Sequence, residues 1–185
     1  NVLALQNVAL FNMKQKQFDD NELKKRNYLF STGRSNRDYE FLIRTIEKTE
    51  YQLVLACDML NEESHNNIEV RKNTFGKEML RYMRNAKAVV IALDDDTIAA
   101  GQLVLLHAMN MGVPVIITRS HGVTDDYVID HYNGLIIDKT EESLLTALDQ
   151  IFNDKYFIVV CVKMGKKNLK IIIHTMQWEK TLVIY

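Results

Sequence analysis

The sequence predicts an α/β protein built on a doubly wound, mostly parallel sheet with helices on both faces. Short apolar runs alternate with helix-spaced segments throughout residues 27–153, and right-handed crossovers turn such alternation into one parallel sheet. The run A-V-V-I-A-L at 88–93 is apolar without a break, as expected of a parallel strand covered on both faces. Residues 97–118, T-I-A-A-G-Q-L-V-L-L-H-A-M-N-M-G-V-P-V-I-I-T, read as helix, tight turn and buried strand. There Gly101 opens a nearly all-apolar segment, Gly112 closes it and Pro114 starts a β-branched run.

Residues 1–26 pass from a short apolar stretch into a polar run from Lys14 to Arg26, and read as a linker or edge segment. Tyr28, Leu29 and Phe30 then form a strand that ends at Gly33, and Ser35-Asn36-Arg37-Asp38 has the spacing of a capping box. Tyr39, Leu42, Ile43 and Ile46 follow at i, i+3, i+4, i+7, one face of a helix. Residues 51–57 are a second strand, 58–67 a polar loop and 68–70 a short third strand. Thr74 is placed to cap a helix carrying Phe75, Met79 and Met83, ending near Ala86. The fourth strand, at 88–93, runs into Asp94-Asp95-Asp96; the central helix and a fifth strand at 115–118 come next. A loop with His121, Gly122 and Asp125 leads to a helical turn over 127–130, a turn at Asn133-Gly134 and a last core strand at 135–137. Thr140, Glu141 and Glu142 start a helix whose Leu144, Leu148 and Ile151 share a face. The tail, 156–185, is ambiguous: residues 157–162 have strand propensity, yet Phe157, Val160, Cys161 and Met164 also fit helical spacing.

With 185 residues the chain has room for one domain and appended ends, not for two full domains. A net charge of −1 with interspersed signs argues against a nucleic-acid footprint or a polybasic membrane anchor. The two cysteines, Cys57 and Cys161, lack any metal-ligand spacing, which points to a reducing, cytoplasmic setting. The start at Asn1 has neither an initiator methionine nor a signal peptide, so an N-terminal portion is expected to be missing.

In a doubly wound sheet the ligand site lies beyond the carboxyl ends of the strands. The N-terminus of the central helix at Gly101 would aim unpaired N–H groups at whatever lies there, which suits a phosphate. Asp94, Asp95 and Asp96 read as a solvated acidic loop more readily than as a magnesium site. No serine or cysteine nucleophile motif and no G-x-x-x-x-G-K is present.

The segment G-Q-L-V-L-L-H-A-M-N-M-G-V-P-V-I-I-T, followed by G-V-T-D-D-Y-V-I-D-H-Y-N-G-L-I-I, resembles the donor-binding half of the group 1 (family 4) glycosyltransferases. These enzymes have the GT-B architecture. The resemblance covers about residues 27–180. It implies a Rossmann-like nucleotide-sugar-binding domain over 27–155 and a C-terminal segment, 156–185, that is helical and normally braces an N-terminal domain. Without that domain, the apolar tail is expected to drive self-association.

The resemblance also distributes roles. Gly33-Arg34-Ser35-Asn36-Arg37-Asp38 is similar to the family's G-R…K turn, so Arg34 and Arg37 would grip the donor phosphates, together with Gly101, Gln102 and Leu103 at the helix start. A guanidinium at 37 forks where the family's ammonium is a point charge. The family's two glutamates flanking the central helix fall here on Ala99 and His107; His107 can still hydrogen-bond a ribose hydroxyl. Gly33, Arg71, Asn73, Thr97, Ala99 and Ala100 would lie near the base or sugar. No catalytic residue is assigned, and no metal or cofactor is expected beyond the nucleotide-sugar substrate.

The reading is therefore the donor half of a retaining glycosyltransferase of polysaccharide or glycan biosynthesis, inactive alone. Its acceptor would be a glycan or lipid-linked hydroxyl, and its location cytoplasmic or peripheral to the inner membrane face. The alternatives are a nucleotide-sugar epimerase-like domain and a non-catalytic module with a degenerate donor site.

Overall fold

The computed structural model describes residues 14–61 and 66–182, with side chains described to residue 170. Among the described residues six parallel strands form one sheet: β1 (Tyr28–Thr32), β2 (Gln52–Ala56), β3 (Ile68–Arg71), β4 (Ala88–Ile91), β5 (Val115–Thr118) and β6 (Leu135–Ile137). Their order is β3-β2-β1-β4-β5-β6, so the winding reverses between β1 and β4. Leu29 registers with Leu53 on one side and Ala88 on the other.

Side-chain alternation explains the unbroken apolar runs. Tyr28, Phe30, Val54, Val89, Ile91, Val115 and Ile117 pack into one layer, while Leu29, Leu53, Leu55, Ala88, Val90 and Ile116 pack into the other. The central strands β1, β4 and β5 are buried throughout, so neither parity is free to be polar there, whereas the edge strand β3 is half-exposed and carries Glu69 and Arg71. The first layer is covered by α1 (Asn21–Lys25), α3 (Gly76–Asn85) and α4 (Gln102–Met111), the second by α2 (Tyr39–Ile46) and α6 (Glu141–Asn153). The turn α5 (Thr124–Tyr127) and the long α7 (Lys155–Leu182) complete the order.

Several expectations shift. Ser35 caps nothing: Asp38 is the N-cap of α2, accepting from the Phe41 N–H at 2.9 Å, because Asn36 at φ 52° turns the chain before the helix begins. Thr74 does not cap α3 either; its hydroxyl donates to Lys72 O at 3.2 Å and closes a turn, which leaves Phe75 at the cap position and exposed. The buried face of α3 is carried by Leu80, Tyr82 and Met83. The helical turn expected at 127–130 lies three residues earlier, at Thr124–Tyr127, where the Thr124 hydroxyl bonds Ser120 O.

The ends also join the domain. Of the expected linker 1–26, residues 1–13 lie outside the described residues. The remainder is a 3₁₀ turn (Gln15–Phe18) and α1, with Phe18 and Leu23 buried. Asp20 caps α1 and takes an ion pair from Arg81 at 2.7 Å, while its own N–H donates to Asn85. The tail is helix, not strand, where its propensity pulled the other way. Phe157 and Cys161 bury in the second layer and Leu169 in the first, so α7 crosses from one face to the other and its first half belongs to this domain. Residues 183–185, and the side chains from 171 onward, lie outside the described residues.

Candidate functional site

The winding reversal brings two loops side by side beyond β1 and β4, residues 33–38 and 92–101. Such a switch point is where open α/β sheets take their ligands. Both loops need glycine where they approach. Gly33 has φ +127°, and a Cβ there would stand 2.6 Å from Nη2 of Arg37. Gly101 has φ +94°, and its Cβ would meet the same nitrogen at 3.5 Å and Ile91 Cγ2 at 3.1 Å. The Arg37 guanidinium thus occupies the space between the first turn and the start of α4.

Arg37 is held there by main chain. Its Nε donates to Thr32 O at 3.2 Å, and its Nη1 to Ser35 O at 2.8 Å and Asn36 O at 3.3 Å. Burial lowers its pKa from the usual guanidinium value, but a guanidinium stays charged in a protein. At the other side, α4 begins without a side-chain cap: Gly101 is the N-cap, and its carbonyl accepts the first helical bond from Leu105 at 2.9 Å. The N–H groups of Gln102, Leu103 and Val104 precede any intrahelical partner, which makes this end an anion acceptor with a cation already beside it.

The two loops are stapled together by Asn36. Its amide Nδ2 donates to Asp95 O at 2.8 Å and Ile98 O at 3.4 Å, and its Oδ1 accepts from Asp95 N–H at 2.8 Å. Asp95 in turn accepts from the N–H and hydroxyl of Thr97, at 2.8 and 2.6 Å, and the hydroxyl bond leads in holding its carboxyl below the usual range. From the β6–α6 turn, Lys139 reaches Asp38 and Asp94, both at 3.2 Å. The acidic run is therefore a set of braces, and among the described residues no cluster of three His, Cys, Asp or Glu is placed to hold a metal.

Arg34 lines the same cavity as Arg37 but has a different partner. It pairs with Asp58, and its guanidinium lies 5.3 Å from the centroid of the exposed Phe75 ring. The other Asp58 oxygen accepts from Asn73 N–H at 2.8 Å, which with Arg34 keeps that carboxyl ionised at lower pH than usual. Arg34, Asp58, Asn73 and Phe75 form one cluster at the rim beyond β1, β2 and β3. Arg71 faces away from it: it bonds Glu69 and lies 4.6 Å from the Tyr82 ring centroid. Ala99 and Thr97 are exposed and Ala100 half-buried; Ala99 is packed so closely on Gly122 that a Cβ there would lie 2.9 Å away.

His107, on the second turn of α4, is 3% exposed, and burial pulls its pKa down to about 4. It is a neutral ring inside the core layer, so contact with a ribose requires the neighbouring side chains to part. Sequence reasoning missed Asn36, Lys139, Asp58 and Phe75. Only Asn36 carried a signal, as a residue type that tolerates positive φ next to a glycine turn.

The geometry has known counterparts. Chain residues 26–154 match the family model described as glycosyl transferases, group 1. No curated protein sequence matches at a significant level. Among solved structures, HepE from Anabaena in complex with UDP-glucose superposes with a TM-score of 0.73 at 12% identity, covering 96% of this chain and 55% of that one. Sucrose-phosphate synthase from Thermosynechococcus elongatus gives 0.67 at 17% identity, covering 97% and 49%. The C-terminal domain of a group 1 glycosyl transferase, LpcC, from Francisella tularensis gives 0.62 at 15% identity, covering 86% and 97%. The chain therefore spans about half of the two larger proteins, and nearly all of the isolated C-terminal domain. Such identities speak for the GT-B fold, with this chain as its Rossmann-like half; the family match, which runs over more than half of the sequence, places the chain in the group 1 glycosyl transferases.

Proposed function

We propose that this domain binds the diphosphate of a nucleotide-sugar, as the donor half of a retaining glycosyltransferase that builds a glycan or polysaccharide. The observation that carries the reading is the Arg37 guanidinium, seated between Gly33 and the uncapped N-terminus of α4. A diphosphate there would meet a fixed cation and, at once, three N–H groups that have no intrahelical partner. HepE was solved with UDP-glucose, and a pneumococcal O-GlcNAc transferase with UDP and GlcNAc, which supports a sugar nucleotide of hexosyl type as donor. Arg34 would leave Asp58 to reach the outer phosphate, and the rim at Asn73 and Phe75 would face the base. The acceptor and the base that activates it would belong to a second domain across the cleft, so this chain would bind donor without transferring sugar. The reading takes no metal, because Arg37 and the helix end supply the positive field that a metal would otherwise provide.

Ala99 and the buried His107 favour a second reading, a module that keeps the phosphate cradle but is catalytically silent. A thermal-shift panel with UDP, GDP and ADP tests donor binding. A ligand at a hundred times its dissociation constant adds about 2.7 kcal/mol of stability. Stabilisation by one nucleotide that Arg37→Ala cuts by about half at the same concentration supports the donor site; no shift with any of them refutes it. Transfer assays with the whole enzyme then separate the working donor half from the silent module. We also propose a cytoplasmic setting, peripheral to the membrane through the absent half, and self-association of the isolated chain through the end of α7. A monomer by light scattering at high concentration would refute the last point.

A further inference from the structure

We infer that Asn36 is a positioning residue that locks the two halves of the phosphate cradle into one unit. The inference rests on the donor reading above and goes beyond it by naming the part that fixes the cradle's geometry. The cradle comes from two chain segments that share no strand pairing at their tips: the β1–α2 loop carries Arg37, and the β4–α4 loop carries Gly101 and the N–H groups behind it. The β1–β4 ladder registers only Leu29 with Ala88 and Phe30 with Val89, so it stops two residues short of the end of β1. Beyond it, Asp38 N–H to Ala92 O at 3.0 Å is one main-chain tie, and the Asn36 amide supplies the next.

That amide imitates a strand partner. It donates to Asp95 O and accepts from Asp95 N–H, both at 2.8 Å, and completes a two-bond pairing across the gap. The third contact, to Ile98 O at 3.4 Å, reaches three residues closer to Gly101. The main chain of Asn36 meanwhile bonds Arg37 Nη1 through its carbonyl at 3.3 Å. One residue therefore touches both the cation and the loop that leads to the helix start. Asparagine suits the position twice over, since its backbone has φ 52° and its side chain offers a donor and an acceptor in one plane.

A diphosphate needs both halves at a fixed separation, whereas a monophosphate can settle on one. Loss of the staple should thus erode the preference for diphosphate over monophosphate. A general loss of structure would weaken both alike.

The test is calorimetric titration of wild type and Asn36→Gly with UDP, GDP and ADP and their monophosphates. Glycine keeps the positive φ and removes the amide. Hydrogen exchange at the Asp95 amide in wild type, with and without the same diphosphates, is the second measurement and does not depend on the variant's folding. The expected result is a diphosphate affinity about tenfold weaker in the variant, equivalent to 1.4 kcal/mol, with monophosphate affinity changed less than twofold. The Asp95 amide should exchange slowly in wild type and more slowly with diphosphate. An unchanged diphosphate preference, or an Asp95 amide exchanging as fast as an open loop, overturns the inference while wild-type binding leaves the donor reading standing. A wild type that binds none of the three nucleotides overturns the donor reading, and this inference falls with it.

Discussion

Acidification should destabilise this protein well above the pH at which its carboxylates titrate, and His107 should be the cause. The ring is 3% exposed, and burial takes its pKa from the ordinary 6.5 to about 4 in the fold. The unfolded chain binds a proton at His107 as pH drops through 6.5, while the folded chain refuses it until about 4. Stability contributed by the neutral ring is therefore complete above the unfolded value and is lost as pH falls between the two. The loss should be about 2 kcal/mol between pH 7.5 and 5, approaching roughly 3 kcal/mol near pH 4. Urea denaturation at intervals across that range measures it, with His107→Gln as the control, since glutamine is polar but does not titrate. Carboxylates such as Asp58, Asp95 and Glu141 are held below their usual range, so their contributions fade mainly below about pH 5 and leave the interval from 7.5 to 5 to His107. Parallel curves for wild type and variant would refute the argument, because the slope would then belong to other groups.

Gly101→Ala places a side chain at φ +94° and 3.1 Å from Ile91 Cγ2, and should cost about 1–3 kcal/mol in a urea titration. Asp38→Ala removes the α2 cap and a partner of Lys139, at a cost of about 1 kcal/mol, whereas Asp38→Asn should recover the cap's share in the same assay. Asp58→Asn should tighten nucleoside diphosphate binding by up to about fivefold in calorimetry, since it releases Arg34 from an exposed pair of the weak, solvent-screened kind. Weaker binding by that variant would mean that Arg34 works from where it stands, through the Phe75 ring.

What could be read in advance divides by the range of the forces involved. The order of strands and helices was legible because each parallel strand is sealed on both faces, so its apolar run records the two layers directly. Gly101 and Gly112 were legible as the bounds of α4 because positive φ at both ends admits little but glycine. Caps were harder. Ser35 and Asp38 both have the chemistry of an N-cap, and the choice fell to Asp38 because Asn36 turns left-handed between them and Lys139, a hundred residues away in the chain, adds an ion pair. The tail was open for a similar reason: β-branched residues at 158–160 favour a strand locally while Phe157, Val160, Cys161 and Met164 fit helical spacing, and burying Phe157, Cys161 and Leu169 across two layers decides for the helix that the family resemblance implied.

The two arginines make the sharper case, since one motif contains both and the structure treats them differently. Arg37 has three carbonyls of its own loop within reach, so local geometry alone folds it back over Gly33 and towards α4. Arg34 has no such local partners and goes to the nearest anion, Asp58, on a loop that the sequence cannot bring alongside. A preorganised cation and a recruited one follow from that difference. Arg37 costs little to use, because its side chain is already ordered, whereas Arg34 must exchange Asp58 for phosphate and regains only the difference between two ion pairs. Alanine at 37 should therefore weaken nucleoside diphosphate binding more than alanine at 34, by tenfold or so against threefold or so in calorimetry. The reverse order would show that the outer arginine, not the seated one, carries the phosphate.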